Sequence, residues 1–189
     1  MIRSRPAQHH ISDAVATSFA EVLHAEGPEA ERQPQLALYS WLIGRWLFDI
    51  TTFAEDGATH QGRGEIHAGW VLQGRAIQDV WMIPRLRDRL PGIEPLPGAG
   101  NWYGTTLRIY DPGLEAWRIL WSDPTTSFFS QQIGRAQGPD IVQIGPDPRG
   151  GSMRWIFSEL QPDSFHWTAE RAADDRKWRR EVDIRARRG

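Results

Sequence analysis

The chain has 189 residues, 22 basic against 24 acidic, with a formal net charge of −2. That balance excludes a strong field aimed at nucleic acid or an anionic membrane surface, and the length fits one domain with an extension. Cysteine is absent, which excludes disulfides, thiolate metal sites and a cysteine nucleophile.

No apolar run is long enough to span a bilayer, and Met1–His10 lacks the apolar core of a secretory signal. A cytoplasmic protein with no membrane or nucleic-acid partner is the expectation. The unusual figure is 10 Trp, a density that suits a small barrel core or a cavity with flat aromatic walls.

Residues 1–35 read as a helical extension. Ser12-Asp13 is a cap for a helix over Ala14–His24, closed by Gly27-Pro28. Val15, Phe19, Val22 and Leu23 share one of its faces, which predicts packing against another surface. Residues 36–189 read as the main domain. A short helix over Pro34–Tyr39 opens with proline, where the missing amide donor costs little. Gly44 allows a sharp turn, and Trp46–Phe53 then carries the β-branched and aromatic residues that strands favour.

Glu55-Asp56-Gly57 is a hairpin turn. Gly62–His67 is the returning strand, Gly69 a turn, and Trp70–Met82 one or two further strands. The span from Ile83 to Gly100 is rich in Pro and Gly; a connection that long suits a lid at a barrel mouth. Short strands then follow at Gly104–Asp111, Trp117–Ser122, Ser127–Arg135, Asp140–Gly145, Ser152–Leu160, Phe165–Arg171 and Trp178–Arg187. About ten strands with no helical period between them predict an all-β, antiparallel architecture.

Gly44-Arg45-Trp46 after a short helix resembles the opening of the lipocalin and fatty-acid-binding (calycin) barrels. With Gly69–Ala76, Tyr103–Asp111 and Trp178–Ile184, the span from Leu36 to Arg188 resembles the uncharacterised bacterial calycin-like proteins of the DUF1579 type. The resemblance implies an up-and-down barrel with an internal ligand cavity and no particular reaction. It also implies an arginine of the last strand, Arg185 or Arg187, stacked on Trp46. Nitrobindin-type barrels hold haem through a histidine near the final strand. Trp178–Arg187 contains none, and His166 falls in the outward phase, so no cofactor is expected.

Alternation places Trp117, Ile119 and Trp121 inward, with Met153, Trp155 and Phe157, Phe165, Trp167 and Ala169, Val182, Ile184 and Ala186, and Phe129 and Ile133. Polar residues in these rows are the candidate contacts of a bound molecule: Gln131, Glu159, Arg180 and Gln78. Ile77-Asp79-Trp81 competes with Gln78 for the inner phase of its strand. A mostly apolar cavity needs a few placed polar groups to orient its guest. The candidate ligand-binding set is Gln78, Trp81, Trp102, Tyr103, Trp117, Trp121, Gln131, Trp155 and Trp167.

No phosphate loop, His-Glu-x-x-His or Gly-x-Ser-x-Gly motif is present, and no metal site is expected from the spacing of His60 and His67. The first reading is binding of a small, largely apolar or aromatic molecule. The alternative is a cofactor-free cyclase, isomerase or decarboxylase, with Glu159 or Asp79 as acid or base and Arg180 steadying an anion. A third is an interaction module in which the N-terminal helix builds a homodimer.

Overall fold

Gly44 holds φ at +115°, a conformation that glycine alone adopts freely, and there the chain turns from helix into its first long strand. The computed structural model describes residues 17–89, 100–174 and 176–189. In chain order they form α1 (Phe19–Leu23), β1 (His24–Ala25), α2 (Gln33–Ser40), β2 (Gly44–Phe53), β3 (Thr59–Val71), β4 (Ala76–Ile83), β5 (Trp102–Asp111), β6 (Ala116–Asp123), β7 (Phe128–Gln137), β8 (Asp140–Pro146), β9 (Ser152–Ser158), β10 (Ser164–Ala172) and β11 (Arg179–Arg188).

Strands β2 to β11 pair antiparallel with their neighbours in sequence, and β11 returns to pair with β2. The result is a closed, ten-stranded, up-and-down barrel; the turn spacing predicts the strand count and the antiparallel pairing, and the family resemblance implies the barrel. Closure leaves no unpaired barrel edge. Among the described strands, only β1 lies outside it, added to the end of β3 through His24 opposite Val71 and Ala25 opposite Trp70. No helix among the described residues is long and apolar enough to cross a membrane.

Two local expectations are corrected. Gly69 makes no turn; it lies inside β3 opposite Gln78. The reversal falls later, where Leu72, Gln73 and Gly74 all take positive φ. In the extension, Ser12-Asp13 and the start of the expected helix lie outside the described residues. The visible turn is capped instead by Ser18, whose hydroxyl accepts from the Glu21 amide while the Glu21 carboxylate accepts from the Ser18 amide. Phe19 and Val22 are 80% and 68% exposed while Leu23 is half-buried, so the described residues leave most of the face expected to pack uncovered.

One end of the barrel is plugged by α2. Leu36, Tyr39 and Leu42 have no exposed surface and meet an aromatic cluster from the strands. The Trp41 ring lies 5.9 Å from Trp46, 5.5 Å from Phe157 and 5.1 Å from Phe165, all edge-on. Such pairs contribute about 0.5–1.5 kcal/mol each beyond their buried area. The Trp46 indole donates to the Leu42 carbonyl at 2.8 Å, tying strand to plug.

The arginine over Trp46 is Arg188, not Arg185 or Arg187. Its guanidinium carbon lies 3.8 Å from the Trp46 ring centre, and its N–H groups donate to the carbonyls of Ile43, Trp41 and Pro162. Trp46 pairs directly with Arg188 across β2 and β11. Arg187 points outward to Asp49, and Arg185 to Glu159. Alternation explains the placement of Arg187, since one step along a strand reverses the face.

Arg188→Ala should therefore destabilise the fold by about 2 kcal/mol through lost cation–π and carbonyl contacts. Arg187→Ala should change it by less than about 0.5 kcal/mol, as for exposed ion pairs. Urea denaturation of both variants checks this; equal effects would contradict the assignment.

Candidate functional site: a tryptophan-walled cavity

The β4–β5 segments place one unexpected ion pair in the barrel interior. On β4 the inward phase is Ile77, Asp79 and Trp81, all buried, so Gln78 faces outward, where its amide donates to Thr105 Oγ1. On β5 the inward phase is Gly104, Thr106 and Arg108, while Leu107 and Ile109 are half-exposed outside. Arg108 Nη1 donates to Asp79 Oδ2, both side chains being essentially inaccessible to solvent. Asp79 Oδ1 accepts from the Thr106 amide. Each charge compensates the other's desolvation, without which neither would be tolerated there.

Beneath this pair stands Tyr39 of α2. The Arg108 guanidinium lies 5.3 Å from the Tyr39 ring and 5.9 Å from the Phe157 ring. The Tyr39 hydroxyl accepts from Gln143 Nε2 at 2.9 Å. It also packs against Gly134, where a Cβ would stand 2.4 Å from it. Burial pushes the Tyr39 phenol up to about 12, against the opposing charge of Arg108 and the Gln143 hydrogen bond. These groups form a polar floor.

Above the floor, away from α2, lies a cavity of about 340 Å³. Its walls are the rings of Trp81, Trp102, Trp121, Trp155 and Trp167, with Met153, Ala169 and Arg108 between them. The rings meet at edge or tilt: Trp121 is 6.0 Å from Trp155, Trp155 5.7 Å from Trp167, and Trp167 5.3 Å from Trp81.

Asp123, Arg149, Glu170 and Glu181 surround the outer end. Arg149 bridges Asp147 and Glu181 at 2.8 and 2.7 Å. Burial opposes ionisation of Asp147, but the Arg149 hydrogen bonds and the Arg149 and Arg171 charges outweigh it and hold its carboxyl below the usual range. The expected lid connects strands at this same end. Of it, residues 90–99 lie outside the described residues. Arg89 donates to the carbonyls of Ile83 and Pro84.

Among the residues singled out from sequence, Trp81, Trp102, Trp121, Trp155 and Trp167 all line the cavity. Trp117 is inward but lower, 4.9 Å from Tyr39 in the plug. Tyr103 faces outward beside Arg89. Gln131 is exposed, and so is Phe129; the inward residues of β7 are Ser130, Gln132 and Gly134. The reason is volume. Ser130 stands opposite Trp121 and Gly134 opposite Trp117, and a crowded interior takes small residues beside large ones.

Of the three candidate catalytic groups, only Asp79 is inside. Glu159 lies beyond the end of β9 at φ +51°, exposed and paired with Arg185, so strand alternation no longer applied to it. Arg180 is exposed and pairs with Asp183 and Glu170 at 3.0 and 3.5 Å. A β-bulge at Ala169/Glu170 shifts the register there, and Glu181 takes the place at the cavity. His166 is on the outer face, with Nε2 2.9 Å from Asp183. No histidine lines the cavity among the described residues, and no group of three or more metal-ligating side chains occurs among them.

Sequence reasoning missed Arg108 and Thr106, which line the cavity. The available signal was Asp79, because a buried carboxylate demands a partner and Arg108 is the basic residue of the adjoining strand.

Asp79→Asn and Arg108→Met should each destabilise by about 3–5 kcal/mol by leaving one buried charge uncompensated. The Asp79→Leu/Arg108→Met double variant should recover much of that loss; additive losses in urea denaturation would contradict the coupling. Tyr39 gives a pH signature. With its ordinary pKa at 10.0 and its folded value raised to about 12, its contribution is full below pH 10 and lost as pH rises towards 12. Tyr39→Phe should flatten the alkaline fall in stability across that window.

No protein-family model matches the chain, and no curated protein matches it in sequence. Solved structures do match in fold. The chain is similar to Rv2717c from M. tuberculosis, with a TM-score of 0.56 and 12% identity over 82% of this chain and 98% of that one. It is also similar to the S-type phycobiliprotein lyase CPES from Guillardia theta, with a TM-score of 0.54 and 10% identity over 86% of this chain and 98% of that one. The comparisons establish a shared ten-stranded barrel fold.

Proposed function

We propose that this protein binds a small, flat, largely apolar or aromatic molecule inside the barrel. The observation that carries the reading is the 340 Å³ cavity bounded by five tryptophan side chains, within the size range of small-molecule sites. A filled core would close such a space, since interiors pack to crystal density. The large, weakly polar faces of the rings favour a flat guest. A fold neighbour that is a phycobiliprotein lyase is consistent with a barrel that handles small molecules. The narrower likeness to DUF1579-type, calycin-like proteins rests on the sequence motifs and points the same way.

The enzymatic alternative has less support. Glu159 and Arg180 lie outside the barrel, and Asp79 is clamped by Arg108 and the Thr106 amide. Among the described residues, no free acid–base pair of the kind expected remains in the cavity.

Naphthalene should quench the tryptophan emission saturably. Ala169, which lines the cavity, is the position at which to fill it. Ala169→Phe should weaken naphthalene binding more than tenfold while the circular dichroism spectrum stays unchanged. Unaltered quenching in a folded Ala169→Phe variant would place the guest elsewhere.

A further inference from the structure

Of the charged side chains that line the cavity, all but one are matched by an opposite charge. Arg108 is paired with Asp79. Arg149 bridges Asp147 and Glu181, and Arg179 makes a second contact to Glu181 at 2.7 Å. Glu170 is held by Arg154 at 2.6 Å, with Arg180 at 3.5 Å. The exception is Asp123, a cavity residue only 2% exposed. Among the described residues no basic side chain forms an ion pair with it.

The strand sets its position. Trp117, Ile119, Trp121 and Asp123 alternate along β6 and share its inward face. Asp123 ends the strand, one inward position nearer the mouth than Trp121. It pairs with Phe128 of β7, which also lines the cavity. Oδ1 is engaged by the turn that follows, accepting from the Thr125 amide at 2.9 Å, with the Thr125 hydroxyl 2.6 Å away. Oδ2 receives no hydrogen bond among the described residues. Trp121 and Trp102, both cavity residues, stand with their rings 6.5 Å apart.

The turn uses one carboxylate oxygen and would form equally well in solvent. A carboxylate held away from water without a cation is costly. Folding has already removed this one from solvent, so a cationic guest would lose only its own hydration. Tryptophan faces offset part of that loss by cation–π attraction. An anionic guest would meet Asp123 and find no unengaged cation, since Arg108 and Arg149 already hold carboxylates.

We infer that the cavity selects a flat aromatic molecule bearing a protonated amine, with Asp123 as the counter-ion that determines specificity. The inference rests on the cavity reading above and adds the charge of the guest. The ammonium donates to Oδ2 of Asp123 near the mouth, and the ring system lies deeper among the tryptophans.

Four probes of similar shape test this: naphthalene, 2-naphthylmethylamine, 2-naphthylmethanol and 2-naphthoate, titrated at neutral pH by tryptophan emission and calorimetry. The amine should bind about tenfold tighter than the alcohol, its uncharged counterpart, with the carboxylate weakest. Asp123→Asn keeps an oxygen for the Thr125 amide and removes the charge. It should bring the affinity ratio of amine to alcohol down to about one. Asp123→Ser, whose hydroxyl can also accept in such a turn, serves if the asparagine variant fails to fold. Ala169→Phe should weaken the amine and the alcohol alike.

An amine that binds no tighter than the alcohol overturns the inference. So does a preference that survives loss of the Asp123 carboxylate, amine binding unaltered by Ala169→Phe, or 2-naphthoate bound as tightly as the amine. If naphthalene binds and the amine gains nothing over the alcohol, the role of Asp123 is refuted and the cavity stands. If none of the four binds, the cavity reading falls, and this inference with it.

Discussion

The interior depends on one buried ion pair. Arg108 and Asp79 reach towards each other from neighbouring strands, β5 and β4, with both side chains almost wholly buried. Because each charge needs the other, the pair fixes which faces of two strands point inward. It also divides the barrel. Below it, Tyr39, Trp117 and Phe157 pack edge to face into a solid plug; above it, the tryptophan rings stand apart and leave a cavity. Without a charged partition at that height, apolar side chains alone would settle how the space is filled, and the favourable outcome would be collapse.

The aromatic side chains serve two purposes according to depth. Near α2 they touch a helix that supplies its own buried side chains, Leu36 and Tyr39, followed by Leu42 in the turn after it. Nearer the mouth no helix among the described residues enters, and Trp81, Trp121, Trp155 and Trp167 contact one another around a gap. The same residue type builds core at one end and lines a cavity at the other. What differs is whether a second element fills the centre.

At the plugged end, Trp46 and Arg188 join the first and last barrel strands. The indole bonds the plug through Leu42, and the guanidinium covers the ring while bonding carbonyls on both sides. The two strands that meet here are the farthest apart in sequence, so this contact holds the closure that carries the greatest chain-entropy cost. Gly44 is the residue that lets the helix, the strand and the arginine converge: a Cβ there would come within 2.9 Å of Arg188 Nη1.

Much of this was legible in the order of residues. Strand spacing, proline at the start of α2 and period-two alternation on β6, β9 and β10 depend on local rules, and they led to an antiparallel all-β chain with tryptophans facing inward. Those rules failed wherever the inner face held polar or small residues. On β7, Phe129 and Ile133 look like core, yet Ser130 and Gly134 are inside because Trp121 and Trp117 on the neighbouring strand need the room. On β5, Leu107 and Ile109 outrank Arg108 in hydrophobicity, yet the arginine is buried because it pairs diagonally with Asp79 on β4. At β11 a bulge moved Arg180 out and Glu181 to the cavity. Local periodicity determined that the chain is antiparallel and all-β and that the tryptophans of β6, β9 and β10 face inward. Only the tertiary structure decided where the polar groups stand, because burial of a charge or a small side chain is set by the partner it meets across strands, which no single stretch of sequence contains.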